Sequence, residues 1–344
     1  AGNWLSELGV STDPSLPLGM ISIAERQMVA IARAVSLDAR VVIFDEPTSS
    51  LTLRETDRLF AVIRRLKAKN IAVIYISHRL EEIFRICDTL TVMRDGALVA
   101  TKSIAEVNTD GVIRMMIGRD LKDMYQKTAT EQGAPVLEVK HLTVKGILND
   151  ISLTLHRGEI LGVSGLVGAG RTELARAIFG DLPYQAGEII VDGKTIHPSC
   201  PDDCIGAGIG LVPEDRKDQG LVLPMPVKNN ISMAVLGKLA RLGMIRGGKE
   251  NQLADESVRR LAIKTPSIKQ QVQYLSGGNQ QRVVIAKWLA TNPKVLLVDE
   301  PTRGIDVGAK SEIYALLNRL AGQGVAILMI SSELPEILAM SDRI

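Results

Sequence analysis

The stretch VVIFDEPTSSL at residues 41–51 returns as VLLVDEPTRGI at 295–305, and Asp45 matches Asp299 across 254 positions. The same spacing carries Ser22 in ISIAERQMVAIARAV to Ser276 in LSGGNQQRVVIAKWL, and Ser77 in IYISHRLEEI to Ser331 in LMISSELPEI. Three motifs sharing one spacing mean two copies of one module, and no other feature constrains the fold as tightly. The copies are unequal. A glycine-rich loop, GLVGAGRT at 165–172, has no counterpart in the first copy, because the spacing would place it before residue 1. The first copy in turn continues through TVMRDGALVATKSIAEVNTDGVIRMMIG, beyond the point that matches Ile344. The expectation is a chain truncated at both ends: residues 1–118 as the back part of a first module, 119–135 as a linker, and 136–344 as a nearly complete second module. The linker expectation rests on the polar, repeat-free run RDLKDMYQKTATEQGAP.

The apolar runs between these motifs, VVIF, IAVIYIS, EILGVSG, VLLVD and VAILMIS, are short and β-branched, as buried parallel strands are. Helical patterns such as ETDRLFAVIRRLKAK and GAKSEIYALLNRLAG alternate with them, which gives crossover units and an α/β class. VLEVKHLTV, DISLTLHRGEI and GEIIVDGKTI predict an antiparallel strand subdomain around the glycine-rich loop. At 344 residues, two domains are the natural expectation. The formal charge of +2 creates no field that would gather nucleic acid. No apolar run approaches the ~18 residues of a membrane helix, and AGNWLSELGV lacks the basic-then-apolar form of a leader, so the chain is expected neither to span a membrane nor to be exported. Cys200 and Cys204 fall with His197 in HPSCPDDC; a metal there would need a fourth ligand from elsewhere, and the two prolines predict an ordinary loop instead. Three cysteines without a paired framework, Cys87 being the third, suit a reducing cytoplasm.

Chemistry concentrates in three places. In the loop, Gly165, Gly168, Ala169 and Gly170 let successive backbone N–H groups turn toward phosphate oxygens ahead of a helix N-terminus. Thr172 is placed to ligate Mg²⁺, and Arg171 stands where this pattern normally carries lysine. A planar guanidinium in place of a point charge is expected to preserve binding better than turnover. The strand ends VLLVDE and VVIFDE offer Asp299 and Asp45 as metal carboxylates, and Glu300 and Glu46 to polarise an attacking water. Ser276, Gly277 and Gly278 open a helix whose donors suit a γ-phosphate presented from another surface.

The order of phosphate loop, LSGGNQ, DEPT and ISH resembles the ATP-binding-cassette ATPases. GLVGAGRTEL, VPEDRKDQGLVL, LSGGNQQ, DEPTRGIDVGAK and ISSELPEI resemble more closely the second half of the fused double-cassette ATPases of bacterial sugar importers, which serve ribose, xylose, arabinose, galactose and similar sugars. The resemblance covers nearly the whole chain. It implies two tandem P-loop cassettes, each with a parallel sheet core, an antiparallel β subdomain and a helical subdomain, the first lacking its N-terminal part. It also implies ATP and Mg²⁺ as cofactors and head-to-tail cassettes. The partners would be transmembrane permease subunits and, indirectly, an extracytoplasmic sugar-binding protein, at the cytoplasmic face of the inner membrane.

Carried over residue by residue, the resemblance gives two unequal sites. One joins residues 165–172, Glu214, Asp299, Glu300 and Ser332 to the signature around Ser22. There Glu214 stands for a magnesium-sensing glutamine and Ser332 for a γ-phosphate-contacting histidine. Ile23 and Ala24 replace the signature glycines, and VKGILND offers no aromatic for adenine, so hydrolysis is expected to be slow or absent. The other site uses Asp45, Glu46 and His78 opposite Ser276, Gly277 and Gly278, with its phosphate loop outside the sequence. The leading expectation is therefore the energy-coupling ATPase of a monosaccharide importer. A degenerate, non-catalytic nucleotide-binding subunit is the alternative. A soluble double-cassette protein acting on ribosomes or DNA would call for a charged helical linker or zinc-ligand cysteines, and the sequence has neither.

Overall fold

Four runs in which almost every residue is apolar need cover on both faces, and in the second half of the chain they receive it. Ile209–Val212, Val295–Asp299, Ala326–Ile330 and Ile160–Val163 lie side by side in that order as a parallel sheet. Helix Arg171–Ile178 packs on strand Val295–Asp299, helix Gly277–Leu289 on Ile209–Val212, and helix Leu334–Met340 on Ile160–Val163. All five residues of Val295–Asp299 and of Ala326–Ile330 are buried.

The computed structural model describes residues 5, 13–36, 39–48, 51, 53–77, 79–94, 96–117, 127, 133–166, 168–241 and 243–344. It divides into two units, Ala1–Asp120 and Leu121–Ile344. In the second unit an antiparallel sheet of Leu148–His156, Pro135–Val144, Ala186–Val191 and Lys194–Ile196 forms the expected strand subdomain. Its register shifts between Lys140 and Thr143, and there the chain passes Gly187, where a Cβ would lie 2.6 Å from the Leu142 Cα. Only glycine fits that approach. Helices Val227–Ser232, Gly247–Arg260 and Gly277–Leu289 pack together as a helical subdomain.

Within the first unit, Val41–Asp45 and Ala72–Ile76 form a parallel pair. Helices Ile23–Val35 and Leu53–Ala68 supply Met28, Ile31, Leu59, Phe60, Ile63 and Leu66 to a core shared with Val42 and Phe44. An antiparallel hairpin, Thr89–Arg94 with Ala97–Ser103, follows. The expectation of fully buried strands fails in this unit. Ile43 is 62% exposed, while its repeat partner Leu297 is 0% exposed. Among the described residues this parallel sheet has two strands, and alternate residues of both are left uncovered.

One other expectation changes. HPSCPDDC is not a plain loop: Pro201–Ala207 is a helix with Cys200 as its N-cap and the Asp203 carboxylate accepting from the Ser199 N–H. Proline at the first helical position starts the helix, because the N–H it lacks would be unpaired there anyway. Cys204 is buried, its thiol donates to the Ile178 carbonyl, and burial pushes its pKa up to about 12. Lys127, within the expected linker, ion-pairs with Asp342 of the second unit at 2.8 Å. Among the described residues no helix is long and apolar enough to cross a membrane.

Candidate phosphate-binding site

Strand Ile160–Val163 delivers the chain to the glycine-rich loop, and helix Arg171–Ile178 leaves it. Gly168 and Gly170 take φ values of +84° and +86°. At Gly170 a Cβ would also approach the Leu148 side chain at 3.0 Å, so the turn that aims the helix N-terminus outward depends on glycine for conformation and for space. Ala169 donates its N–H to the Leu166 carbonyl and closes the turn. Val167 lies outside the described residues.

The carboxylates come from the neighbouring strand end. Asp299 is 1% exposed, accepts a hydrogen bond from the Thr172 hydroxyl, and has an Oδ1 with no hydrogen-bond partner. Burial pushes its pKa up to about 6; the Thr172 bond opposes this, and the adjacent Glu300 charge adds to it. A buried carboxylate oxygen left without a donor is costly unless a cation meets it. Thr172 and Asp299 are thus an oxygen set that fits Mg²⁺, which is typically held by one or two protein ligands plus phosphate oxygens. Glu214 lines one cavity of about 310 Å³ with Thr172 and Asp299, and its carboxylate is engaged by Arg303.

Glu300 sits at φ +47°, a left-handed conformation uncommon for glutamate, and its repeat partner Glu46 takes φ +46°. Both donate their N–H across to the next strand, Glu300 to Ile330 and Glu46 to Ile76. The same left-handed turn thus recurs at the matching position of both copies. The Glu300 carboxylate is occupied. The Ser332 N–H donates to Oε1 at 2.7 Å, the Ser332 hydroxyl to Oε2 at 3.1 Å, and Arg171 Nη1 lies 3.7 Å from Oε1. Arg171 Nη1 is buried without a hydrogen-bond partner, so the guanidinium still has a donor for an incoming anion.

The signature segment is built differently from its first-copy partner. Ser276 stands at the N-cap of helix Gly277–Leu289 without a side-chain capping bond, and its hydroxyl accepts from the Asn279 side-chain amide at 2.9 Å. The glycine pair has a packing reason that sequence spacing does not reveal. A Cβ on Gly278 would lie 2.7 Å from the Ala309 Cβ, and one on Gly277 would lie 2.9 Å from Arg216 Nη2. In the first unit Ser22 caps helix Ile23–Val35 in a reciprocal capping box with Glu25, which satisfies the Glu25 and Ser22 N–H groups. The side chains of Ile23 and Ala24 lie outside the described residues, as does His78. Asp45 is exposed, unlike buried Asp299.

Sequence reasoning missed a pair of buried glutamates. Glu336 accepts from the Thr302 and Ser331 hydroxyls, and Glu82 accepts from Thr48 at 2.8 Å and Ser77 at 3.3 Å. These are the same network 254 residues apart, and the repeat itself was the available signal. Each glutamate ties the Pro-Thr turn after the acidic pair to the segment that carries Ser332 or His78. Replacing Glu336 by alanine strands two hydroxyls in the interior and is expected to cost about 1–3 kcal/mol in denaturant unfolding, whereas glutamine is expected to retain most of that stability. Cys200 and His197 play no part here, and among the described residues no cluster of His, Cys, Asp and Glu could itself enclose a metal ion.

Residues 148–303 match the family model described as ABC transporter. The ribose import ATP-binding protein RbsA of Bacillus licheniformis is 50% identical over 99% of this chain and 69% of its own length. A ribose import ATP-binding protein of Streptomyces avermitilis is 49% identical over 99% of this chain and 67% of its own. The chain thus spans about two thirds of the length of the curated relatives it matches. Among solved structures, a nucleotide-free ATP-binding cassette from an ABC transporter aligns with 61% of this chain and 86% of its own, with a TM-score of 0.52 and 22% identity. A dimeric cassette in a post-hydrolysis state, bound to ADP and Pi, aligns with 59% of this chain and 91% of its own, with a TM-score of 0.51 and 22% identity. At that identity the likeness concerns the fold alone.

Proposed function

The chain belongs to the ATP-binding proteins of ABC transporters, and from that premise we propose that it binds Mg-ATP at residues 165–172 as the energy-coupling subunit of a monosaccharide importer. The observation that carries this reading is the orphaned Asp299 oxygen together with an Arg171 Nη1 that makes no hydrogen bond, though it lies 3.7 Å from the Glu300 carboxylate, beside a glycine-rich helix start. One side is ready for a cation and the other for an anion. Ribose is the proposed sugar, since it is the one named for relatives at about half identity. The repeat supports two cassettes of one fused pair, residues 1–118 and 136–344 with 119–135 between them, and the family resemblance supports their association head to tail. Permease subunits and an extracytoplasmic binding protein are the proposed partners, with peripheral attachment at the cytoplasmic face of the membrane.

In this reading the backbone N–H groups of the loop and Arg171 hold the phosphates, while Thr172 and Asp299 would hold Mg²⁺ with Glu214 nearby. The ion would supply charge neutralisation between the terminal phosphates. Glu300 is the residue placed to polarise water, yet Ser332 and Arg171 occupy it, which favours binding over turnover at this site. Vesicles carrying a ribose permease and its binding protein provide the test. With Mg-ATP present, the chain is expected to sediment with these vesicles and less with vesicles that carry a permease for another pentose; equal recovery with both, or recovery with neither, contradicts the assignment.

A further inference from the structure

The chain as a whole carries 41 Lys and Arg against 39 Asp and Glu, yet from Gln219 to Lys249 it has no acidic residue. That run holds Lys228, Lys238, Arg241, Arg246 and Lys249. Lys228 turns inward: its Nζ lies 3.3 Å from the carboxylate of buried Glu250 and 3.3 Å from the Asn251 amide oxygen. The other four are exposed and, among the described residues, form no ion pair. Cations gathered without a counter-charge keep a local positive field in a nearly neutral chain.

These four flank a small hairpin. Helix Leu236–Leu239 ends at Ala240, and Ala240–Arg241 then pairs antiparallel with Met244–Ile245, Ala240 opposite Ile245 and Arg241 opposite Met244. The Arg246 N–H donates to the Leu239 carbonyl and closes the base, ahead of helix Gly247–Arg260. At the turn Gly243 takes φ +77°, and a Cβ there would meet nothing within 4 Å. Gly237, Gly247 and Gly248 are equally open, so the hairpin and its base stand clear of neighbouring elements. No third strand joins the pair. A two-stranded ribbon is marginal in water by itself, and this one leaves Met244 72% and Ile245 47% exposed. Successive strand residues point to opposite faces, so apolar surface is open on both sides of the ribbon.

A single exposed apolar side chain is ordinary. Two of them on a projecting ribbon, with four unpaired cations beside them in the chain, have the composition of an interfacial contact. There apolar side chains enter the boundary between headgroups and acyl chains while Lys and Arg meet lipid phosphates. A nucleic acid would account for the cations alone, since the run from Gln219 to Lys249 has no Phe, Tyr or Trp to stack on a base.

We propose that the hairpin Ala240–Ile245 is a contact for an anionic lipid surface, with Met244 and Ile245 entering the headgroup layer and Lys238, Arg241, Arg246 and Lys249 meeting its phosphates. The contact goes beyond attachment through permease subunits, because it needs neither permease nor nucleotide.

Sedimentation of the full chain without nucleotide, with vesicles free of permease, reads this directly. Binding to phosphatidylcholine vesicles with about 30% phosphatidylglycerol is expected to exceed binding to phosphatidylcholine alone by at least about tenfold, each basic side chain near an anionic surface being worth about fivefold. R241Q/R246Q is expected to lower that partition at least about tenfold. M244S/I245S keeps every charge and is expected to lower it about fivefold, the value of partly burying two apolar side chains. K238Q/K249Q carries the same charge comparison should R241Q/R246Q fail to fold. Loss on charge removal but none in M244S/I245S marks a surface for any polyanion, a nucleic acid included, and overturns the assignment. Equal binding to both kinds of vesicle, or to neither, overturns it as well. The permease comparison, run in phosphatidylcholine alone, holds this contact out, so failure of either reading leaves the other standing.

Discussion

Replacing Asp299 by asparagine is expected to make the nucleotide-free chain more stable at pH 7.5 and, at the same time, to weaken Mg-dependent ATP binding by at least about tenfold. The two effects have one origin. Folding raises the Asp299 pKa from 3.8 to about 6, so the folded chain holds that proton more tightly than the unfolded chain does. The carboxyl group therefore supports the fold fully below pH 3.8, and that support is lost as the pH rises through about 6. At about 1.4 kcal/mol per pH unit the loss amounts to roughly 3 kcal/mol. Asparagine cannot ionise and escapes it. Urea unfolding of both proteins at pH 4 and at pH 7.5 checks the sign: the stability gap is expected to be small at pH 4 and to favour D299N at pH 7.5. A gap that does not change with pH contradicts the assignment of Asp299 as a buried, uncompensated carboxylate awaiting a cation.

Removing the Arg171 guanidinium is expected to lower affinity for ATP by about 10- to 100-fold, the value of a charge-assisted hydrogen bond or two to phosphate. Removing the charge on its neighbour acts in the opposite direction. With Arg171 Nη1 3.7 Å from the Glu300 carboxylate and both side chains 12% exposed, the guanidinium must leave one anion to serve another. E300Q is expected to raise affinity by about two- to tenfold, within the range of contact couplings. In the R171A background the same substitution is expected to have no such effect. Fluorescence titration of a labelled ATP against the four proteins closes the cycle. Equal gains from E300Q in both backgrounds would place the benefit in general charge removal and not in the Arg171 pair.

What the sequence made legible was whatever repeats or punctuates. The spacing between Asp45 and Asp299 located both acidic strand ends, and the alternation of apolar runs with helical patterns located the parallel sheet of the second unit. Gly168 and Gly170 lie where the chain adopts left-handed turns, so residue type alone marked that part of the loop. Side-chain partnerships were not legible, because they depend on which residues the sheet brings level. Nothing in PEDRK or TRGID announces that Arg216 and Glu214 both reach the 303–304 turn. Nor does ISSEL show that Ser332 would donate twice to Glu300. Composition misled at HPSCPDDC, where two prolines suggested a loop although the second sits at a helix start, a position it favours. Local pattern misled again in the first unit, where VVIFD reads as a buried strand and Ile43 stands open.

Calorimetric titration of ATP into the chain, with and without Mg²⁺, tests the central claim most directly. The geometry of Arg171, Thr172 and Asp299 predicts saturable binding that strengthens by at least about tenfold when Mg²⁺ is present, as a carboxylate–hydroxyl metal site completed by phosphate requires. Binding of equal strength without Mg²⁺, or no binding at all, contradicts the account.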